Sequence, residues 1–137
     1  MLKITKKVEY ALMALVYISQ KKNDELSSAK EIAVKNSIPR EILAKTLQEL
    51  ASLKMVKSYK GPKGGYKICT DINKINMIEF IELLEGPVGL TDCNISMLCQ
   101  QEGCCQIKDP LSRINNKIIN TLKNISLGEF TSKQEKK

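Results

Sequence analysis

The sequence predicts a mainly α-helical fold that carries one small β-hairpin. Three observations support this fold class. Apolar residues recur every three or four positions in most of the chain, which is the spacing of one helix face. The segment "MVKSYKGPKGGYKICT" has the pattern of two strands joined by a turn rich in glycine and proline. A long helix with a continuous apolar stripe is predicted near the C-terminus.

Length and composition set the class of protein. The chain has 137 residues, of which 42% are apolar, and this is enough for one domain-sized core. The N-terminal segment lacks the cleavage site of a signal peptide, and no apolar run is long enough to span a membrane. We therefore expect a cytoplasmic protein whose five cysteines stay reduced, which favours a metal or redox role over disulfides.

Charge is distributed unevenly between the two halves. Residues 1–67 carry fourteen Lys and Arg against six Asp and Glu, whereas residues 68–137 carry eight against nine. A basic half joined to a nearly neutral half predicts one part that binds a polyanion and a second part with another role. A solvated, lysine-rich surface is the alternative explanation.

The first half predicts three helices followed by the hairpin. Thr5 is placed to cap the first helix, and Ser28 with Glu31 forms a capping box at the start of the second. Pro39 suits the first turn of the third helix, which keeps helical spacing from Ile42 onwards. Two short helices joined by a tight turn are the helix-turn-helix pattern, and a basic hairpin directly after it is a wing.

This arrangement predicts contacts with double-stranded DNA. Arg40, Glu41 and Lys45 lie at the start of the second helix of the pair, where side chains reach base edges. Ser28 and the wing lysines are expected to contact the sugar-phosphate backbone or the minor groove. The predicted wing contacts are Lys57, Lys60 and Lys63. An ordinary surface hairpin is the alternative.

The second half predicts a modest amphipathic helix and then a long one. Asp109 followed by Pro110 is the pattern of an N-cap with proline at the first helical position. The apolar stripe that follows could pack on its own domain or on a second copy. For a DNA-binding protein we expect a homodimer, because a dimer matches a palindromic site. The stripe consists of Leu111, Ile114, Ile118, Leu122 and Ile125.

Four cysteines are gathered in the stretch "CNISMLCQQEGCCQ". Cys93, Cys99 and Cys105 are separated by five residues each time, and Cys104 breaks the regularity. The absence of histidine excludes a Cys₃His zinc site and histidine-based catalysis, so we predict no catalytic residue and no enzyme. An iron–sulfur cluster fits the thiolates best, with unliganded loop cysteines as the alternative. Cys69, alone in the wing, is interpreted as a small buried hydrophobe.

The chain resembles the Rrf2 family of bacterial winged-helix transcription regulators, which includes iron–sulfur regulators of the IscR and NsrR types. The resemblance covers nearly the whole chain. It rests on "ITKKVEYALMALVYIS", "SAKEIA", "IPREILAKTLQELASLKMVKSYKGPKGGY" and the Cys-x₅-Cys-x₅-Cys spacing. It implies a winged-helix dimer built on the long C-terminal helix. It also implies a cluster that is held by the three cysteines and whose state changes operator binding.

Two departures from the family pattern, at positions 108 and 60, and one match, at position 9, affect these expectations. IscR-type members have a histidine three residues beyond the third cysteine, where this chain has Lys108. NsrR-type members take a carboxylate from the first helix of the other subunit, and Glu9 is the matching residue here. The resemblance thus implies Glu9 as the fourth metal ligand, with solvent or a small thiol as alternatives. Glu9 could instead point to solvent or pair with a lysine. The wing arginine of the family is Lys60 here, which cannot make a planar bidentate contact.

We therefore predict three regions and one function. Residues 1–70 form the winged helix-turn-helix, residues 71–130 the cluster-binding loop and dimerisation helix, and residues 131–137 a disordered tail. The function is a DNA-binding regulator, a repressor, whose cluster senses cluster status, nitric oxide or redox state. One alternative is a cluster-free regulator controlled by a partner protein or thiol oxidation. An alternative of another class is a small thiol or electron-transfer protein.

Overall fold

The computed structural model describes residues 3–21, 25–91, 94 and 103–131, so nearly all of the predicted C-terminal tail lies outside the described residues. The chain divides into two compact units. Among the described residues, the N-terminal unit comprises 3–21, 25–72 and 130–131, and the C-terminal unit comprises 73–91, 94 and 103–129. The helix-turn-helix and the hairpin both belong to the N-terminal unit, whereas the long helix belongs to the C-terminal unit.

Helix α1 spans Lys6–Ser19 and begins where the sequence predicts. Thr5 is its N-cap, and Thr5 Oγ1 accepts a hydrogen bond from the backbone N–H of Val8 at 3.3 Å. The spacing predicts an apolar face of Ile4, Val8, Ala11, Leu12, Leu15 and Ile18, and most of it is buried, whereas Ile4 precedes the helix and is 44% exposed. The buried residues of α1 recur at intervals of three or four, apart from the adjacent Ala14 and Leu15. They are Val8, Ala11, Ala14, Leu15 and Ile18.

Helices α2 (Ala29–Asn36) and α3 (Arg40–Ser52) form the predicted helix-turn-helix. Ser37 ends α2 in the left-handed conformation, with φ 53°, and the backbone N–H of Ile38 donates to the carbonyl of Ala33 at 3.0 Å. Pro39 is the N-cap of α3 and so lies one position before the first turn, in which the sequence predicts it. Its carbonyl oxygen accepts the first hydrogen bond of α3, from the N–H of Leu43. Its missing N–H costs nothing there, because the N–H groups at the start of a helix have no partner within the helix.

The predicted wing is confirmed as an antiparallel hairpin of β1 (Val56–Tyr59) and β2 (Gly65–Ile68). Val56 lies opposite Ile68, and Tyr59 lies opposite Gly65. The turn between the strands is closed by a hydrogen bond from Gly64 N–H to the carbonyl of Gly61 at 2.9 Å. Gly61 has φ 107°, a conformation that side chains with a Cβ rarely adopt, which explains the glycine there.

Among its described residues the C-terminal unit contains α4 (Met77–Glu85) and α5 (Lys108–Lys123), and the short α6 (Gly128–Thr131) begins in it. Asn76 caps α4, and its Oδ1 accepts from the backbone N–H of Glu79 at 2.9 Å. Helix α4 packs against α5. The buried residues of α4 are Met77, Ile78, Phe80 and Leu84.

The predicted start of α5 is wrong by two positions. Ile107 is the N-cap, so Asp109 lies inside the first turn and Pro110 is the third helical residue. Proline is tolerated there because the first four N–H groups of a helix have no partner within the helix. The negative charge of Asp109 near the N-terminus is also favourable, since the helix dipole is positive at that end.

The faces of α5 also differ from the sequence pattern. The buried residue of this helix is Asn115, whereas Ile114 of the predicted stripe is 48% exposed. Leu111, Ile118 and Leu122 are only half-buried. The inward face of α5 within one chain is therefore rotated away from the centre of the apolar stripe, and part of that stripe is left open.

Candidate DNA-binding surface and cysteine segment

The start of α2 is fixed by the capping box that the sequence predicts. Ser28 Oγ accepts from the backbone N–H of Glu31 at 3.1 Å, and the backbone N–H of Ser28 donates to Glu31 Oε1 at 2.8 Å. This reciprocal pair satisfies two donors that the helix itself leaves without partners. Ser28 is half-buried in this position.

The Glu31 carboxylate also ties α1 to α2. Its Oε2 accepts from the Tyr17 hydroxyl at 2.8 Å and forms an ion pair with Lys21 Nζ at 3.0 Å. Burial raises the pKa of Glu31, but the hydrogen bonds from Ser28, Lys21 and Tyr17 outweigh it, so the pKa lies below its ordinary value. The hydrogen bond between Tyr17 and Glu31 also raises the pKa of the Tyr17 hydroxyl. The carboxylate therefore stays ionised and anchors α2 on α1 at neutral pH.

Helix α3 presents charged side chains on its outer face. Arg40, Glu41 and Lys45 are all exposed, as their predicted contact with base edges requires. The opposite face holds α3 rigidly in the unit, because its leucines have no exposed surface. These leucines are Leu43, Leu47 and Leu50. Glu49 of α3 forms an ion pair with Lys7 of α1 at 2.9 Å, which further fixes the helix.

One residue of α3 does not follow the sequence expectation. Ile42 has apolar character and helical spacing, yet 45% of it is exposed on the outer part of the helix. Its carbonyl oxygen accepts a hydrogen bond from the hydroxyl of Thr46 at 2.9 Å. Thr46 itself is only 6% exposed, so the more polar of the two side chains lies inside.

The wing carries three exposed lysines, as predicted. Lys57, Lys60 and Lys63 are all exposed, and Lys57 Nζ lies 5.4 Å from the centroid of the Tyr59 ring. This distance allows a cation–π contact, which restrains the lysine without neutralising it. The wing and α3 thus each carry cations whose side chains are exposed to solvent.

The wing is attached to the segment that precedes α2. Ser27 and Tyr66 form an isolated antiparallel bridge, with Ser27 N–H to Tyr66 O at 3.1 Å and Tyr66 N–H to Ser27 O at 2.8 Å. Gly65 permits this approach, because a Cβ at that position would lie 2.7 Å from the carbonyl oxygen of Ser27. The wing is thus joined through two backbone hydrogen bonds to the residue next to Ser28.

The cysteine segment is described only in part. Cys93 and Cys99 lie outside the described residues, whereas Cys105 is half-buried and Cys104 is exposed. Within residues 3–21, 25–91, 94 and 103–131, no group of three or more Cys, Asp or Glu side chains could hold a metal ion. The ligand set of Cys93, Cys99 and Cys105 therefore stays a prediction. Its three thiolates have the donor chemistry that an iron–sulfur cluster requires.

Two predictions about other possible donors can be compared with the structure. Glu9 lies in the first turn of α1, where its Oε2 pairs with Lys6 Nζ at 3.1 Å and its side chain is 39% exposed. A carboxylate that is paired and partly exposed needs no metal ion to compensate for the cost of burying its charge. The prediction that Glu9 is a metal ligand therefore rests on the family resemblance. The interpretation of Cys69 as a buried residue is wrong, because Cys69 is exposed and its Sγ donates to the carbonyl of Lys54 at 3.1 Å.

Sequence reasoning missed a polar anchor on α5. Asn115 is 6% exposed, and its Oδ1 accepts from the backbone N–H of Leu90 at 3.0 Å. One turn earlier, Ser112 Oγ accepts from Asn94 Nδ2 at 3.4 Å, and Asn94 Oδ1 accepts from the hydroxyl of Thr91 at 2.8 Å. The residues at positions 90, 91 and 94 are thus tied to α5. Nothing in "RINNKIINTLKN" distinguishes Asn115 from the other asparagines of this helix.

Comparison with known proteins decides the family. A family described as Rrf2, iron-dependent transcriptional regulator, matches residues 4–133. The chain belongs to the Rrf2 family. The members of that family are described as transcriptional regulators. Within the described residues, no helix of this Rrf2 protein is both long and apolar enough to cross a membrane.

Curated relatives of this Rrf2 protein are helix-turn-helix regulators. It is 42% identical over 76 residues to one from Aquifex aeolicus and 33% identical over 90 residues to NsrR of Oceanobacillus iheyensis. These matches cover 56% and 66% of this chain, and the chain spans only 52% and 61% of those relatives. NsrR of Bacillus licheniformis is 26% identical over 136 residues, which cover 98% of this chain and 95% of that one.

Solved structures show the same winged-helix fold. CymR, described as the global cysteine regulator of B. subtilis, superposes with a TM-score of 0.79 at 25% identity and covers 98% of this chain and 100% of its own. IscR of T. potens superposes with a TM-score of 0.69 at 23% identity over 93% of this chain and 85% of its own. The predicted winged helix-turn-helix of this Rrf2 protein is therefore confirmed.

Proposed function

We propose that this Rrf2 protein is a homodimeric repressor whose operator binding is controlled by an iron–sulfur cluster. The observation that carries the DNA part is the set of exposed cations on the helix-turn-helix and on the hairpin that follows it, namely Arg40 and Lys45 on α3 and Lys60 and Lys63 on the wing. In the proposed complex, α3 enters the major groove, and the wing lysines contact phosphates or the minor groove. Ser28, at the start of α2, contacts the sugar-phosphate backbone of the DNA.

The homodimer is proposed from the open side of α5. Ile107 is 61% exposed and Ile114 is 48% exposed, which leaves apolar side chains of this unit in water within one chain. A second copy would cover them, because a two-fold axis brings the same surface of each copy together. Two reading heads would then meet the two halves of a palindromic operator.

The cluster is proposed from the donor set and from the NsrR relatives. Cys93, Cys99 and Cys105 would hold it, and Glu9 of the second copy would be the fourth ligand. When bound, an iron–sulfur cluster would supply a centre that reacts with nitric oxide and oxidants. In this chain, Asn115 and Ser112 hold the residues next to position 93 on α5, so the cysteine segment and the proposed dimer helix are physically connected.

Purification without oxygen tests this function. We expect a brown dimer that contains iron and sulfide and retards a DNA duplex that carries its operator. The matched comparison is the same preparation after removal of iron, for which operator affinity should change. If the protein binds DNA but contains no iron, the proposed control by a cluster is wrong. If the protein does not bind DNA, the whole proposal is wrong.

The fourth ligand needs its own experiment. Glu9→Ala should give a cluster that is lost or altered in absorbance, because an oxygen donor is removed. Glu9→Cys should retain iron, since a thiolate is a better match for iron than a carboxylate. Lys6→Ala removes the ion-pair partner of Glu9 without removing a donor and serves as the control. Wild-type spectrum and lifetime in air for Glu9→Ala would exclude Glu9.

A second candidate function keeps the DNA surface without the cluster. Two observations favour it: the likeness to CymR and the exposure of the thiols of Cys69 and Cys104. In this case the regulator responds to a partner protein or to thiol oxidation. Treatment with hydrogen peroxide would then change operator affinity in a colourless protein, and Cys69→Ser or Cys104→Ser would remove that response.

A further inference from the structure

Ile42 is the exposed large apolar side chain on helix α3. It lies in the first turn of the helix, with 45% of its surface exposed. Around it on the outer side of the same turns lie Arg40, Glu41 and Lys45, which are charged and exposed. An isoleucine in this place is therefore an apolar contact point within a charged surface.

The fold of the N-terminal unit does not require Ile42. Leu43, Leu47 and Leu50 already fill the inner face of α3 and have no exposed surface. A β-branched residue in an exposed helical position is also less favourable than alanine, because its rotamers are restricted. Stability therefore gives no reason for an isoleucine here.

The position of Ile42 is nevertheless well fixed. The Thr46 hydroxyl donates to the carbonyl oxygen of Ile42 at 2.9 Å, and the Leu43 N–H donates to the carbonyl of Pro39 at 3.0 Å. Because isoleucine is β-branched, a helical backbone restricts its χ1 angle to one strongly preferred rotamer, and this fixes the positions of its two Cγ atoms. A preorganised apolar group of this kind loses little entropy when it is buried against a ligand.

We infer that Ile42 is a specificity-determining residue that contacts the 5-methyl group of a thymine in the operator. This inference rests on the proposed insertion of α3 into the major groove. Arginine and lysine recognise the acceptors of guanine, and glutamate accepts from the amino group of cytosine. Thymine differs from the other bases by its methyl group, which needs an apolar partner. Among the exposed side chains of α3 near its N-terminus, Ile42 supplies one.

Replacement of thymine by uracil tests the contact, since it removes only that methyl group. Duplexes that bind the full-length wild-type dimer are first selected from a random-sequence library. Each thymine of the selected site is then changed singly to uracil, and affinity is measured at constant salt. Wild type should lose about fourfold in affinity at one position of each half-site, the value expected for one buried methyl group.

Variants assign the methyl contact to Ile42. Ile42→Ala should bind the thymine and uracil duplexes equally at that position, and Ile42→Val should keep part of the difference because it retains both Cγ atoms. Val34→Ala is the matched control, because Val34 is a β-branched residue of α2 that is 72% exposed. It should keep the full fourfold difference. Thermal unfolding of each variant confirms that the fold is intact.

The possible failures are distinguishable. If Ile42→Ala retains the thymine preference, or if wild type has no thymine preference at any position, the inference about Ile42 is wrong while DNA binding stands. If wild type selects no duplex at all, the proposed function and the inference fail together.

Discussion

The side-chain oxygen of Asn115 accepts a hydrogen bond from the backbone N–H of Leu90 at 3.0 Å. Asn115 is the buried residue of α5, so this contact joins the middle of the helix to the chain that follows α4. A buried amide is stable only when its polar atoms have partners. The pair therefore fixes where the polypeptide lies on α5 just before the cysteine segment.

Asn115→Ala should lower the free energy of unfolding by about 1–3 kcal/mol, because the N–H of Leu90 loses its acceptor in a partly buried place. Urea denaturation measures the loss, and amide hydrogen exchange should be faster at Leu90. Asn116→Ala is the control, since Asn116 is exposed on the same helix. Equal stability of the two variants would show that the hydrogen bond contributes nothing.

Gly65→Ala should displace the wing from the segment that precedes α2. The new Cβ would lie 2.7 Å from the carbonyl oxygen of Ser27, so the bridge between Ser27 and Tyr66 must open. Gly61→Ala controls for backbone strain, because Gly61 also has positive φ but a Cβ added there would meet no atom within 4 Å. Gly65→Ala should therefore lose more stability and more DNA affinity. The reverse order would contradict the importance of the bridge.

Tyr17→Phe should destabilise the N-terminal unit by about 1 kcal/mol at pH 7, since it removes the hydrogen bond to the ionised Glu31. The pKa of Glu31 is lowered in the folded chain, so this contribution is present above its ordinary value near 4.5 and is lost as pH falls through the lowered pKa. Unfolding experiments between pH 7 and pH 3 should thus show the two proteins converging in acid. Tyr59→Phe, in the exposed wing, is the control. A difference that is constant with pH would rule out the ionised partner.

Lys63→Ala should weaken binding to all DNA sequences about equally and lower the slope of log K against log salt by roughly one unit. The reason is that a wing lysine which contacts phosphate releases about one counterion. Lys117→Ala removes the same charge from an exposed position of α5 and should leave the slope unchanged. A change in base preference at constant slope would mean that the wing reads bases and does not contact phosphate.

Cys105→Ala should abolish stable cluster binding, whereas Cys104→Ala should leave it nearly intact. Cys105 continues the five-residue spacing of the predicted ligands and is half-buried, while Cys104 is exposed. Iron and sulfide content after purification without oxygen measures the difference. If Cys104→Ala loses iron and Cys105→Ala retains it, the ligand set contains Cys104 instead.

Local interactions made much of the fold predictable. The capping box is formed by Ser28 and Glu31, which are only three residues apart. The turn of the wing needs a positive φ, and Gly61 provides it. Both features depend on a few neighbouring residues and can therefore be predicted from a short stretch of sequence. The winged helix-turn-helix could be predicted for the same reason. The candidate DNA surface could also be predicted, because Arg40, Glu41 and Lys45 follow a recognisable turn and charge needs no packing partner to be exposed.

The sequence alone determined the helix-turn-helix, the wing, the basic surface and the family to which the chain belongs. The tertiary structure decided which individual side chains of α3 and α5 depart from the pattern of buried and exposed positions. Asn115 is buried and Ile42 is exposed, although a hydrophobicity pattern assigns them the opposite way. Burial depends on which distant backbone or side chain approaches a residue, as Leu90 approaches Asn115, and such contacts join positions that are 25 residues apart. The periodicity of apolar residues depends only on the sequence of the helix itself, so it cannot show which distant residue will pack against each position.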